Sequence, residues 1–191
     1  MNQAPDPTPF TFRKAHNAEA EQIVQLVNSA YRGDSSRAGW TTEADLLDGQ
    51  RTDEQEVREL IQAETSMILL CQQGAEIVGA VNLQKTGDAA YLGMLVIRPD
   101  LQGRGIGKHF IQAAETAAQQ EWGVRKIEMT VITLRAELIA FYERRGYRRT
   151  GTIKPFPTDA RAGIPLVQDL QFEVLEIELV EENQGERYHE Q

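Results

Sequence analysis

The stretch Leu95-Val96-Ile97-Arg98-Pro99-Asp100-Leu101-Gln102-Gly103-Arg104-Gly105-Ile106-Gly107-Lys108 decides the reading of this chain. Tyr91, Leu92 and Met94 to Ile97 form an apolar run suited to a buried strand. Pro99 ends that strand and keeps Arg98 extended. Gly103, Gly105 and Gly107 then alternate. Without Cβ atoms, their backbone N–H groups can close around a bulky anion. A helix follows, running to about Ala118, and its open N-terminal N–H groups favour negative charge. Arg104 and Lys108 add positive charge. Strand, glycine turn and helix start together describe a pyrophosphate site.

Two familiar phosphate loops do not fit. The spacing is not Gly-x-Gly-x-x-Gly, because the third glycine comes one residue early. His109 follows Gly107-Lys108, where a P-loop needs Ser or Thr. The segment instead resembles the acyl-CoA loop of the GNAT superfamily of N-acyltransferases, Gln/Arg-x-x-Gly-x-Gly/Ala. Gln102, Gly105 and Gly107 fit that pattern, and Ile97-Arg98-Pro99 resembles the strand end that precedes it.

Outward from the loop, the elements follow in a readable order. Phe10 and Phe12 open a first strand, and residues 1–9 read as a flexible tail. Asn17 is a candidate N-cap for a helix whose buried face is Ile23, Leu26, Val27 and Ala30. Gly33-Asp34-Ser35-Ser36 breaks it. Thr52 or Asp53 caps a second helix with Val57, Leu60 and Ile61 inward. Met67–Cys71 and Glu76–Gln84 read as a hairpin around Gly74, followed by the strand that feeds the glycine loop. The loop helix presents Ile106, Phe110, Ala113 and Ala117, and Gly123 terminates it.

Ile127, Met129 and Val131 mark the next strand. A short helix then carries Leu138, Ile139, Phe141 and Tyr142 and stops at Gly146. Tyr147–Ile153 is a strand, and Lys154–Asp169, with three prolines, a long loop. Phe172 to Leu179 is the last strand, and residues 181–191 are a polar tail. This order is similar to the GNAT fold over roughly residues 10–180, read as a single N-acetyltransferase domain. The resemblance implies an α+β fold with a central, mostly antiparallel, splayed sheet of about six or seven strands and about four helices.

Composition sets the outer bounds. Of 191 residues, 41% are hydrophobic and 26% charged, ordinary values for a globular chain. No apolar run approaches the ~20 residues that cross a bilayer, so no membrane partner is expected. The proline-rich start lacks the basic and apolar regions of a signal peptide. Cys71 is the single cysteine, so no intrachain disulfide can form, and the cytoplasm is the expected compartment. A net charge of −9 argues against nucleic acid and leans toward cationic substrates such as amines. His16, His109 and His189 are scattered, and no metal site is expected.

Resemblance to the family implies acetyl-CoA as cosubstrate and no metal cofactor. It places the thioester beside Leu95, Val96 and Ile97, where the strand splays from Met129–Ile132. It implies a pyrophosphate held by Gln102, Gly103, Arg104, Gly105, Ile106, Gly107 and Lys108. It also implies that Tyr142, in Phe141-Tyr142-Glu143-Arg144-Arg145-Gly146-Tyr147, lies near the CoA sulfur. Arg135 stands where many members have asparagine.

Acyl transfer from a thioester to an amine has three needs. The amine must be neutral, though a free alkylamine has a pKa of about 10. The developing oxyanion needs donors. The departing thiolate needs a proton, and Tyr142 is the candidate catalytic donor. Glu43, Asp45 and Asp48 lie in the region that, by resemblance, borders the acceptor pocket, and Glu43 and Asp45 are candidate general bases for the amine, directly or through water. Trp40, Glu43 and Arg51 are candidate substrate-binding residues, Trp40 through its ring face and Arg51 through a substrate carboxylate.

The leading expectation is an acetyl-CoA-dependent N-acetyltransferase acting on a small-molecule amine by direct attack in a ternary complex. A protein lysine or N-terminal acetyltransferase is the alternative within enzymes. A non-catalytic acyl-CoA-binding sensor or interaction module is the alternative outside them. A homodimer is compatible with either.

Overall fold

A computed structural model describes residues 9–157 and 162–180 of the chain. The expected tails fall largely at residues 1–8 and 181–191, and part of the expected loop at 158–161; these lie outside the described residues.

Among the described residues, nine strands and five α-helices run in the order β1 (Phe10–Lys14), α1 (Ala20–Tyr31), α2 (Gly33–Ser36), β2 (Leu47–Asp48), α3 (Glu54–Gln62), β3 (Ser66–Gln73), β4 (Glu76–Thr86), β5 (Ala89–Ile97), α4 (Ile106–Trp122), β6 (Lys126–Ile132), α5 (Ala136–Glu143), β7 (Arg148–Pro155), β8 (Ile164–Pro165) and β9 (Gln171–Glu178). Seven strands form one sheet in the order β1-β3-β4-β5-β6-β9-β7. Every pairing in it is antiparallel except β5 with β6. The expected mixed α+β fold is therefore present.

The central strands β3, β4 and β5 are buried on both faces, which explains their continuous apolar runs. In β3, Met67, Leu69 and Cys71 pack with Phe110, Ile111 and Ala114 of α4. The alternate residues Ile68 and Leu70 pack with Ile23 and Val27 of α1 and Val57 of α3. A side-chain period of two sends neighbours to opposite layers, so β3 presents an apolar face to each.

Several local readings shift. Asn17 does not cap α1; it opens a 3₁₀ turn, Asn17–Glu19, in front of it. There the Glu19 carboxylate accepts from the His16 N–H at 2.8 Å. Gly33–Ser36 separates from α1 as the short α2 rather than a bare break, which brings the count to five helices. The inward face of α4 runs through Ile106, Phe110, Ile111, Ala114 and Ala118, one position on from the expected alanines, and the helix reaches Trp122. Gly123 ends it in the left-handed region, φ +63°. The long loop before β9 contains β8, which pairs with β2 and so ties that loop across to the segment after α2.

One feature of the sheet shapes everything downstream. Parallel pairing of β5 with β6 covers only Ala89–Tyr91 against Lys126–Glu128. Beyond it β6 stays paired with β9 as far as Ile132, while β5 follows β4. On the β4 side, Gly93 pairs with Asn82 and Val96 with Ala80, so β5 carries one residue more than its partner. Met94 absorbs that residue with φ +54°, the left-handed region seldom used by a non-glycine residue. The bulge bends β5 away from β6 and opens a wedge in the sheet.

At the rim, Asp53 caps α3 through Oδ1, which accepts from the Glu56 N–H at 2.8 Å. Replacing Asp53 with Ala should cost about 1 kcal/mol, the usual worth of such a cap. Urea unfolding should show the loss as a lower midpoint with an unchanged slope.

Candidate active site

Two cavities meet at the wedge. A groove of about 360 Å³ is lined by Leu95, Val96, Ile97, the loop from Leu101 to Lys108 apart from Arg104, and the α5 side chains Leu138, Phe141 and Tyr142. A second cavity of about 440 Å³ lies between the splayed strands, lined by Tyr91 to Leu95 and Met129 to Ile132. Tyr31, Leu95, Arg135, Leu138 and Tyr142 line both and form the wall they share.

The groove's floor is the glycine turn. Gly103 and Gly105 take φ +76° and +81°, and a Cβ at either would meet nothing within 4 Å. Backbone conformation, rather than crowding, therefore requires glycine at both. Gly107 differs: a Cβ there would come to 3.3 Å from Phe141 Cζ, so close packing of α4 on α5 keeps it small. Gly105 caps α4, and its carbonyl accepts from the Lys108 N–H at 3.1 Å; the N–H groups of Ile106 and Gly107 come before any acceptor the helix can supply.

Gln102 fixes the loop from its side chain. Nε2 donates to the Ile97 carbonyl at 2.9 Å, and Oε1 accepts from the Trp40 N–H at 3.0 Å. Lys108, Arg144 and Arg145 bring positive charge to the groove, and the Arg145 guanidinium lies over the Phe141 ring at 3.3 Å. Arg104 is exposed on the loop and lies off the groove. Arg144 and Arg145 were not singled out in the sequence; their charge, one helix away from the loop, was the available signal.

Tyr142 is 5% exposed and set edge-on against Phe141 and Tyr147, at ring separations of 5.3 and 5.7 Å. Its hydroxyl makes no hydrogen bond to another described residue. Burial pushes its pKa well above the usual phenol value. At neutral pH the group therefore keeps its proton and can act as a donor. Tyr31, across the wall, donates to the Leu95 carbonyl at 2.9 Å, and burial pushes its pKa up to about 12.

Of the acceptor-side candidates, the structure brings Glu43 and Arg51 to the second cavity. Glu43 is 7% exposed and sits between two guanidiniums. Oε1 accepts from Arg135 Nη1 at 2.8 Å, and Oε2 accepts from Arg32 Nη1. Arg135 also donates from Nη2 to Thr41 Oγ1 at 2.7 Å. The departure at position 135 thus becomes half of a buried ion-pair network. Sequence reading flagged the departure but not its partner, which is 92 residues away.

Two expected members are placed elsewhere. Trp40 is 44% exposed and lines the groove beside Phe141, at a ring separation of 5.7 Å, not the second cavity. Its N–H bond to Gln102 carries it to the loop side. Asp45 reaches neither cavity: it is exposed, and both its oxygens accept from Arg37, at 2.7 and 3.1 Å. That guanidinium lowers its pKa.

The geometry can be set beside known proteins. A model of the acetyltransferase (GNAT) family matches residues 21–147. A comparison with curated proteins finds no match. Among solved structures, the ribosomal-protein-S18-alanine N-acetyltransferase from Escherichia coli superposes with a TM-score of 0.67 at 14% identity, covering 94% of this chain and 100% of that one. Spermidine N-acetyltransferase from Vibrio cholerae, in complex with CoA and spermine, gives 0.66 at 16%, covering 88% and 95%. A putative acetyltransferase from Salmonella typhimurium with its cofactor acetyl-CoA gives 0.65 at 16%, covering 93% and 98%. At such identities the likeness is one of fold, and it agrees with the family match over two-thirds of the sequence: the chain belongs to the acetyltransferase (GNAT) family.

Proposed function

We propose that this protein is an acetyl-CoA-dependent N-acetyltransferase that acetylates the primary amine of a small molecule. The observation that carries the reading is the shared wall between the two cavities, with Tyr142 in it. One cavity has the glycine turn of an anion site; the other is a separate chamber opening on the same wall. Such an arrangement suits two substrates held together, and so a direct transfer with no acyl-enzyme.

In this reading acetyl-CoA enters the groove as substrate. Its pyrophosphate lies on the N–H groups of the Gln102–Lys108 turn, with Lys108, Arg144 and Arg145 around its phosphates. Its pantetheine arm runs along the edge of β5 that β6 has left unpaired, and its thioester reaches Leu95 and Tyr142. The acceptor occupies the second cavity. Its neutral nitrogen attacks the carbonyl carbon as the C–S bond breaks. The thiolate takes the Tyr142 proton, and the surplus amine proton, passed through water at the cavity mouth, returns to the Tyr142 oxygen and restores the phenol. Glu43 acts here as a positioning residue, since both its oxygens accept guanidinium N–H groups. Phe156, Pro157 and Ala162 line the second cavity, and the β2–β8 pairing anchors their loop. A chamber walled on this side favours a small amine over a protein chain.

Thiol release from acetyl-CoA should depend on an added amine. Gly105→Val forces a β-branched residue to φ +81°, a cost of about 1–2 kcal/mol. Calorimetry should show acetyl-CoA affinity down by about tenfold or more; unchanged affinity in a folded variant would remove the loop from the binding site. Tyr142→Phe keeps the ring packing, so stability should hold. Single-turnover kinetics should show the chemical step slowed by about 10²–10⁴-fold with acetyl-CoA affinity little changed. An undiminished step would assign the proton to another donor.

A further inference from the structure

The second cavity is cationic in a protein that is acidic overall. Among the described residues, Arg32, Arg51, Arg135 and Lys154 line it, against the single carboxylate of Glu43. Glu43 pairs with Arg32 and Arg135 and leaves one charge of that trio unbalanced. Arg51 and Lys154 have no carboxylate partner among the described residues. Arg51 is held instead over the Tyr31 ring, its guanidinium carbon 5.6 Å from the centroid.

Arg51 and Lys154 thus stand outside the ion-pair trio that holds Arg32 and Arg135. The phosphate groove has its own cations, and Arg51 and Lys154 do not reach it. The rest of the chamber is largely apolar, through Leu47, Met94, Met129, Val131, Phe156 and Phe172.

Building on the proposed N-acetyltransferase reading, we propose that the acceptor is an amine that also carries an acidic group, with Arg51 and Lys154 binding that group and the apolar chamber its carbon body. Free amino acids with apolar side chains have this chemistry. The arrangement also serves the reaction, because nearby positive charge disfavours the ammonium form and so favours the neutral, attacking amine. The sign of the chamber's charge therefore reverses the leaning toward cationic acceptors that overall charge suggests.

The test is a matched panel. Leucine, methionine and phenylalanine are each compared with their carboxamide and their decarboxylated amine, with spermidine as a cationic control. The amino acids should be acetylated with kcat/KM about 10–100-fold above their neutral partners, the worth of a hydrogen bond to a charged group. Arg51→Gln and Lys154→Gln should erase most of that preference by raising KM for the amino acids alone. Neither change orphans a carboxylate, and calorimetry with acetyl-CoA should confirm the folded groove in each. Equal or better turnover of the neutral amines or spermidine, or a preference that survives in the double variant, would overturn this acceptor assignment and leave the N-acetyltransferase reading standing. Acetyl-CoA binding with no amine acetylated would overturn both.

Discussion

The unpaired stretch between β5 and β6 is the constraint on which the rest of the structure depends. A parallel pair that stayed zipped would fill the sheet's centre and leave no room for two substrates. Pairing stops after Tyr91 and Glu128, and the extra residue at Met94 turns β5 outward. Backbone polar groups of β5 are left facing the wedge, a cost unless a ligand or water satisfies them. The hydroxyl–hydroxyl bond of Tyr91 with Thr130, 2.7 Å, closes the narrow end where the strands part. The left-handed Met94 is a local cost held by the packing around it, with Val96, Ile68 and Leu70 in the same cluster. Strain and opened backbone coincide at the point where chemistry is proposed.

The second organising interaction is the Arg32–Glu43–Arg135 trio. It joins the segment after α1, the loop before β2 and the cap of α5, three parts of the chain with no sheet in common. Losing one partner of such a buried pair costs about 3–5 kcal/mol, because the remaining charge has no water. Arg135 is also part of the wall that carries Tyr142, so the trio sets where that wall stands. A change at Glu43 would therefore disturb folding and wall position together. Arg51 and Lys154, outside the trio, report on the chamber with less ambiguity.

Much of this was legible in the sequence for local reasons. A glycine turn needs particular backbone angles, a helix face needs period 3.6, and a strand buried on both faces reads as an unbroken apolar run; Gly105, Ile23 and Leu70 each show one of these. Long-range partnerships were not legible. Nothing local to Glu43 announces Arg135, so the carboxylate read as a free base rather than an ion-pair hub. Trp40 and Asp45 sat in a stretch without period, and their placement follows from Gln102 and Arg37, partners that no spacing rule connects. The bulge at Met94 was hidden because methionine fits a strand run by composition, and its register becomes visible only against β4.

The most direct measurement is a crystal structure of the protein with CoA. The account predicts the pyrophosphate on the N–H groups between Gln102 and Lys108, the pantetheine arm along β5, and the sulfur within hydrogen-bonding reach of the Tyr142 hydroxyl. The second cavity would stay open on the far side of that wall. CoA bound away from the glycine turn, or seated there with its sulfur remote from Tyr142 and the wedge, would contradict it.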